Sequence, residues 1–109
     1  MVSRGGEGMA RWRGKVALVT GASAGIGRAV ARRLADEGLR VVGWGRRAEA
    51  LEALGEELEG RDFAWRSVEL RELAQLRAAF DALRATHGGV DVLVNSAGVS
   101  GDAPLVGGD

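Results

Sequence analysis

Short runs of apolar residues alternate along the chain with longer stretches in which apolar residues recur every three or four positions. The runs predict four strands, because short continuous apolar runs are typical of strands buried on both faces, at residues 15–20, 39–44, 62–68 and 90–95. The longer stretches predict three helices, which begin near residue 25, run over 48–59, and lie near 71–86.

The apolar positions within each helix predict the side that faces the core. The expected buried stripes are Ile26, Val30 and Leu34 in the first helix, Leu51, Leu54 and Leu58 in the second, and Leu73, Leu76, Phe80 and Leu83 in the third. Each helix is followed by glycine, which suits the residue after a last helical turn: Gly38, Gly60 and Gly88.

Strands and helices alternate, which predicts an α/β fold with a parallel sheet and helices on both faces. We expect the strand order 3-2-1-4, which is the first half of a doubly wound, Rossmann-type sheet that is truncated here. Its ligand crevice would lie at the carboxyl ends of strands 1 and 4. Residues 1–10 are polar and glycine-rich and predict a disordered extension, and residues 11–109 predict a partial dinucleotide-binding domain.

Composition excludes several classes of protein. Acidic and basic residues are equal in number, so the charge indicates no nucleic-acid or anionic-membrane partner. Cysteine is absent, which rules out disulfides and thiolate metal sites, and no metal site is expected. No apolar run is long enough to cross a bilayer, and a cytoplasmic location is expected.

A glycine-spaced loop follows the first strand and opens the first helix. Gly21 suits a tight turn, Gly25 would let the backbone approach a phosphate, and Gly27 would let the helix pack closely on the sheet. Strand, loop and helix N-terminus together predict a socket for a dinucleotide pyrophosphate. The alternatives are an ordinary tight turn, and a Ser23 that caps the helix as well as, or instead of, contacting phosphate.

The end of the second strand predicts which dinucleotide binds. NAD-binding versions of this fold carry an acidic residue there, but this chain has Arg46 and Arg47. Guanidinium groups suit the 2′-phosphate of NADP, because they can donate paired, charge-assisted hydrogen bonds. We therefore favour NADP(H), with the alternative that both arginines are solvated residues at a helix start.

These residues together resemble the short-chain dehydrogenase/reductase family. Residues 20–27, Thr-Gly-Ala-Ser-Ala-Gly-Ile-Gly, are similar to its cofactor loop, and residues 95–98, Asn-Ser-Ala-Gly, to its motif after strand 4, with Ser96 in place of a second asparagine. Glu69 and Leu70 stand where the family contacts adenine, with Glu69 otherwise a solvated helix-start residue. The resemblance implies cofactor contacts from Gly21, Ser23, Ala24, Gly25, Ile26, Gly27, Arg46, Arg47, Glu69, Leu70, Asn95, Ser96, Ala97 and Gly98.

Finer features are similar to one subgroup of that family, which includes dehydrogenase/reductase family member 11 and the insect farnesol dehydrogenases. They lie before strand 1, within strand 2 and before strand 4, at residues 11–16, 41–43 and 87–91. The resemblance implies an NADP-dependent enzyme that acts on ketosteroids or isoprenoid alcohols. It covers residues 9 to about 106, which correspond to the first half of the family's fold.

The residues that carry the family's chemistry have no counterpart in this sequence. The family uses a serine, a tyrosine and a lysine, whereas this chain has no tyrosine and its single lysine, Lys15, precedes the first strand. We therefore expect no catalytic residue here and no turnover by this chain. The expected function is the NADP(H)-binding part of an oxidoreductase for a small alcohol or ketone. The alternative is a non-catalytic NADP(H)-binding or interaction fragment, and the family's oligomerisation helices are absent.

Overall fold

The four predicted strands form one parallel sheet. A computed structural model describes residues 10–96, beginning with a 3-10 turn at Ala10–Trp12. The strands are β1 (Val16–Thr20), β2 (Arg40–Gly45), β3 (Phe63–Ser67) and β4 (Val92–Asn95), and the helices are α1 (Gly25–Asp36), α2 (Ala48–Glu57) and α3 (Leu73–His87). The strand order is β3-β2-β1-β4, which confirms the predicted α/β, doubly wound order.

The register of the strands brings their carboxyl ends to one edge of the sheet. Thr20, the last residue of β1, lies opposite Trp44 of β2 and Asn95 of β4. At the other edge, the carboxylate of Asp91 accepts a 2.8 Å hydrogen bond from the Val16 N–H, which holds β4 beside β1. The chain therefore leaves β1, β2 and β4 side by side at this edge.

Two hydrophobic layers cover the central strands β1 and β2, whereas the edge strands β3 and β4 are not buried on both faces as predicted. On one face, α1 and α2 pack on side chains that include Ala17, Val19 and Val41. On the other face, α3 covers Leu18, Val42 and Trp44. The alternation along β1 explains this arrangement, because successive side chains of a strand point to opposite faces. The Trp44 ring is buried and meets the Phe80 ring edge to face, with centroids 4.9 Å apart.

The predicted buried stripe of α1 is wrong by one residue. Gly27, Ala31 and Ala35 are the buried positions, whereas Ile26 is 59% exposed. Val30 and Leu34 pack only partly on the core. Small side chains let the helix axis approach the sheet, so the line of small residues faces the strands and the larger ones flank it. A shift of one residue turns the buried face by about 100°.

The predicted stripe of α3 is also partly wrong. Leu83 is buried and Leu76 is half-buried, but Leu73 is 65% exposed and Phe80 is 39% exposed. The helix packs on the sheet mainly through Ala79, which was not predicted, and Leu83, with Leu76 packed beside them. Periodicity identified the apolar residues of this helix, but Leu73 at its start is mostly exposed, and Phe80 stays partly exposed while its ring meets Trp44.

Glycines end the helices as predicted. Gly38 has a φ of +94°, and the N–H groups of Gly38 and Leu39 donate to the carbonyls of Ala35 and Leu34, which is the Schellman arrangement. Gly88 likewise has a φ of +86° and donates to the Arg84 carbonyl. These turns return the chain from α1 to β2 and from α3 to β4.

The predicted extension at residues 1–10 lies outside the described residues, except for Ala10, which begins the 3-10 turn. In the part of the chain that the structure describes, no helix combines the length and apolar character that crossing a membrane requires. Across residues 10–96, His, Asp and Glu side chains form no group of three that could hold a metal ion.

Candidate functional site

The glycine loop crosses the carboxyl end of β1. Gly21 has a φ of +73°, a conformation that side chains disfavour, and the next N–H, from Ala22, donates 3.0 Å to the Trp44 carbonyl of β2. Gly25 has a φ of +62°, and a Cβ built on it would meet no atom within 4 Å. The loop is therefore anchored on β2 and leaves open space beside Gly25, where a ligand can approach the backbone.

Gly27 brings α1 against the loop. A Cβ on this residue would lie 2.7 Å from the carbonyl carbon of Gly21 and would also collide with the Ser96 hydroxyl. The helix could not come this close with any side chain at that position. This geometry is the close packing that the sequence predicted for Gly27.

The N-terminus of α1 carries no side-chain cap. The N-cap residue is Ala24, in an extended conformation with no capping hydrogen bond, so the alternative that Ser23 caps the helix is wrong. Ser23 instead packs against β2, because a Cβ on Gly45 would lie 2.9 Å from its hydroxyl oxygen. The first-turn N–H groups and the positive end of the helix dipole are thus left for an anion.

Hydrogen bonds tie the end of β4 to the end of β1. The Thr20 hydroxyl donates 2.8 Å to Oδ1 of Asn95, and the Ser96 hydroxyl donates 2.6 Å to the Thr20 carbonyl. The Ser96 N–H also donates to that carbonyl, at 3.2 Å. Two predicted residues of this segment, Asn95 and Ser96, therefore lie next to the glycine loop. The other two, Ala97 and Gly98, lie outside the described residues.

Both predicted arginines follow β2 and face solvent. The Arg46 side chain is 67% exposed, and Arg47 is the exposed N-cap residue of α2. Nη1 of Arg46 donates to Oε1 of Glu69 at 3.4 Å, and the Ser67 hydroxyl donates to the Arg46 carbonyl at 3.2 Å. Arg46 is thus held by β3 and by the turn that follows β3.

Glu69 accepts hydrogen bonds from two arginines. Its Oε2 atom accepts from the backbone N–H and from Nε of Arg71, both at 3.2 Å. These two bonds, the backbone one first, lower the pKa of the Glu69 carboxyl below its usual 4.5, and Arg46 adds to the effect. Leu70, the next residue, packs partly against the core beneath α3.

Two partners in this turn were not predicted from the sequence. Arg71 fixes the Glu69 carboxylate, and Oε1 of Gln75 accepts the Glu69 N–H at 3.0 Å. Both lie within six residues of Glu69, so a search for side chains that close the turn before a helix could have found them.

The family of the chain follows from its sequence. A family model described as short chain dehydrogenase matches residues 15–106. The chain belongs to the short-chain dehydrogenase family. Its strand order and its glycine loop agree with that family's pattern as the sequence predicted it.

Relatives confirm the subgroup. The chain is 40% identical to Dehydrogenase/reductase SDR family member 11 of Gallus gallus over 104 residues, which cover 92% of this chain and 41% of that protein. It is 43% identical to Farnesol dehydrogenase of Aedes aegypti over 104 residues, which cover 93% and 42%. The chain therefore spans about two fifths of the length of the curated relatives it matches.

A solved structure matches the fold. The F189W actinorhodin polyketide ketoreductase with NADPH superposes with a TM-score of 0.73 and 38% identity, over 84% of this chain and 38% of that one. That ketoreductase was solved with NADPH.

Proposed function

We propose that this chain is the NADP(H)-binding part of a short-chain oxidoreductase that interconverts an alcohol and a carbonyl compound. One observation carries the proposal. The N-terminus of α1 has no side-chain cap and has open space beside Gly25, and two exposed arginines follow β2 at the same edge of the sheet. An anion socket next to a second cationic site fits a dinucleotide that bears an extra phosphate. The NADPH of the matching ketoreductase supports this cofactor.

The residues divide among the parts of the cofactor. In this proposal the pyrophosphate binds over α1, and the 2′-phosphate binds Arg46 and Arg47. Leu70 borders the adenine, and Glu69, on the same side of the site, binds Arg46. The loop after β4 lines the nicotinamide ribose, and the full proposed set is Gly21, Ser23, Ala24, Gly25, Ile26, Gly27, Arg46, Arg47, Glu69, Leu70, Asn95, Ser96, Ala97 and Gly98. When bound, the nicotinamide supplies or accepts a hydride, and these residues bind and orient it.

The fit rests on room and charge at the socket. The space beside Gly25 admits a phosphate, and a side chain there would narrow it. Arg46 and Arg47 give the end of β2 a positive charge. The sequence from the start of β2 to residue 48 contains no acidic residue. An acidic residue at this place would favour ribose hydroxyls and repel a 2′-phosphate.

The substrate belongs to the same proposal. Farnesol dehydrogenase is among the relatives, which supports an isoprenoid alcohol, and the subgroup resemblance supports a ketosteroid as the other candidate. We expect a cytoplasmic location. We expect no nucleic-acid partner, because acidic and basic residues are equal in number.

The 109 residues themselves are proposed to bind the cofactor without turning it over. They include no tyrosine, and Lys15 precedes β1 at the edge of the sheet opposite the site. General acid–base catalysis needs a group within hydrogen-bond reach of the substrate oxygen. This observation also favours the second candidate, a non-catalytic NADP(H)-binding or interaction fragment.

Isothermal titration of the purified chain with NADP⁺ and with NAD⁺ tests the proposal. We expect NADP⁺ to bind about tenfold more tightly, as paired bonds from arginine to phosphate imply. Equal affinities, or a preference for NAD⁺, would contradict it. A parallel assay of NADPH oxidation with an aldehyde or ketone should show no turnover by the 109 residues. Turnover would contradict the proposal that these residues bind the cofactor without catalysing the reaction.

A further inference from the structure

Arg46 has a partner whose role the proposed function leaves open. We infer that Glu69 is a positioning residue for cofactor specificity: its carboxylate holds the Arg46 guanidinium where the 2′-phosphate binds. The inference rests on the proposed function, because it concerns how one of the arginines in that site is oriented.

The Glu69 carboxylate is itself fixed. Oε2 accepts the backbone N–H and the Nε of Arg71, both at 3.2 Å, and the Glu69 N–H donates 3.0 Å to Gln75. The turn that leads into α3 therefore sets the position of this carboxylate from both its backbone and its side chain. The Glu69 side chain is 26% exposed, much less than the side chains of Arg46 and Arg71, at 67% and 83%.

The second oxygen of Glu69 is directed to Arg46. Oε1 accepts from Nη1 of Arg46 at 3.4 Å, and the Ser67 hydroxyl holds the Arg46 carbonyl at 3.2 Å. A guanidinium has five N–H donors, and this contact uses one nitrogen of three. The remaining N–H groups of Arg46 can therefore meet a phosphate while the bond to Glu69 persists.

Holding Arg46 favours phosphate binding through entropy. A free arginine side chain loses much rotamer freedom when it binds a ligand, and less when its geometry is already set. The opposing effect is repulsion between carboxylate and phosphate. It is reduced because Arg71 also pairs with Glu69, so that two arginines, Arg46 and Arg71, share one carboxylate.

Two other roles for Glu69 predict different results. If its carboxylate binds the adenine amine, shortening or neutralising it should weaken NADP⁺ and NAD⁺ alike, because both contain adenine. If its main effect is repulsion of the 2′-phosphate, removing its charge should strengthen NADP⁺ binding. Positioning of Arg46 predicts weaker NADP⁺ binding with NAD⁺ binding unchanged.

The test is titration of the 109-residue chain and its variants with NADP⁺ and NAD⁺. Glu69→Asp keeps the charge but is one methylene shorter, so it withdraws from Arg46, and Glu69→Gln keeps the length but loses the charge. We expect both to weaken NADP⁺ binding about threefold, as for a partly exposed ion pair, and to leave NAD⁺ binding unchanged. Glu52→Asp, the same change at an exposed position of α2, is the matched control and should alter neither.

The outcomes separate the two proposals. A wild-type chain without a preference for NADP⁺ overturns the proposed function, and this inference with it. A wild-type preference that both Glu69 variants retain in full overturns the inference alone, as does an equal loss for both cofactors or tighter NADP⁺ binding by Glu69→Gln. Thermal unfolding by circular dichroism, run on each variant, verifies that the chain is folded in every titration.

Discussion

Gly27 and Gly21 lie so close together that a Cβ atom on Gly27 would stand 2.7 Å from the carbonyl carbon of Gly21. The same Cβ would collide with the hydroxyl of Ser96, which bonds the Thr20 carbonyl. One residue without a side chain therefore lets the helix α1, the glycine loop and the end of β4 meet at a single point. The contact sets how near the helix N-terminus comes to the carboxyl end of β1.

Gly27→Ala should destabilise the chain and displace the helix. The obstacle is backbone, which cannot rotate away as a side chain can, so we expect a loss of about 2 kcal/mol or more in the free energy of unfolding. The better helix propensity of alanine, about 1 kcal/mol, offsets only part of this. Urea unfolding followed by circular dichroism measures the loss.

Gly55→Ala is the matched control, because it also replaces a helical glycine. A Cβ there would lie 3.3 Å from the Trp65 ring, which is 38% exposed and can shift. We expect this variant to lose less than 1 kcal/mol, roughly, after its propensity gain. Equal destabilisation by Gly55→Ala and Gly27→Ala would contradict our explanation that the contact with the Gly21 backbone is what requires glycine at position 27.

The elements of this fold were predictable because they are encoded locally. Runs such as residues 15–20 and 39–44 are mostly apolar, as is typical of buried parallel strands, and Gly38 and Gly88 mark helix ends through backbone angles that other residues disfavour. The glycine loop and Arg46 are likewise recognisable from their order along the chain.

The orientation of the helices was less predictable. Periodicity identifies an apolar stripe, but it does not say how far the helix lies from the sheet. The close approach at Gly27 turned α1 so that Ala31 faces the strands and Ile26 faces solvent. The bonds from Arg71 and Gln75 to Glu69 depend on the shape of one turn, which no periodic pattern encodes.

Arg28→Ala should loosen α2 from α1. Nη1 of Arg28 donates 3.1 Å to the Ala50 carbonyl in the first turn of α2, and Nη2 donates 2.9 Å to Glu57. The side chain is only 26% exposed, so we expect a loss of about 1–2 kcal/mol in unfolding free energy, measured by urea titration.

Arg32→Ala is the control for Arg28. Arg32 also binds Glu57, at 3.0 Å, but its side chain is 41% exposed and it has no bond to Ala50. We expect its loss to stay below about 1 kcal/mol, as is usual for an exposed ion pair. Equal losses for the two variants would show that Glu57, and not the bond to α2's first turn, accounts for the effect.

Arg46→Asp should weaken NADP⁺ binding selectively. It removes a phosphate-binding guanidinium and places a negative charge beside the 2′-phosphate and beside Glu69. We expect NADP⁺ affinity to fall roughly tenfold or more and NAD⁺ affinity to change little, measured by titration calorimetry. Arg77→Asp, at an exposed position of α3, is the control for the change of charge alone. An equal loss for both cofactors in Arg46→Asp would refute the assignment of this arginine to the 2′-phosphate.

The Glu69 carboxylate should make the free energy of unfolding depend on pH, with less stability in acid. Hydrogen bonds from Arg71 lower its pKa in the folded chain below the usual 4.5, so the folded state favours the ionised form. The resulting stability is fully present above the unfolded pKa and is lost as the pH falls through the folded pKa. Glu69→Gln does not titrate, so the difference in melting temperature between wild type and variant should be largest near about pH 7 and should shrink below about pH 4. Melting curves recorded across this range would contradict the bonding of Glu69 if that difference stayed constant or grew in acid.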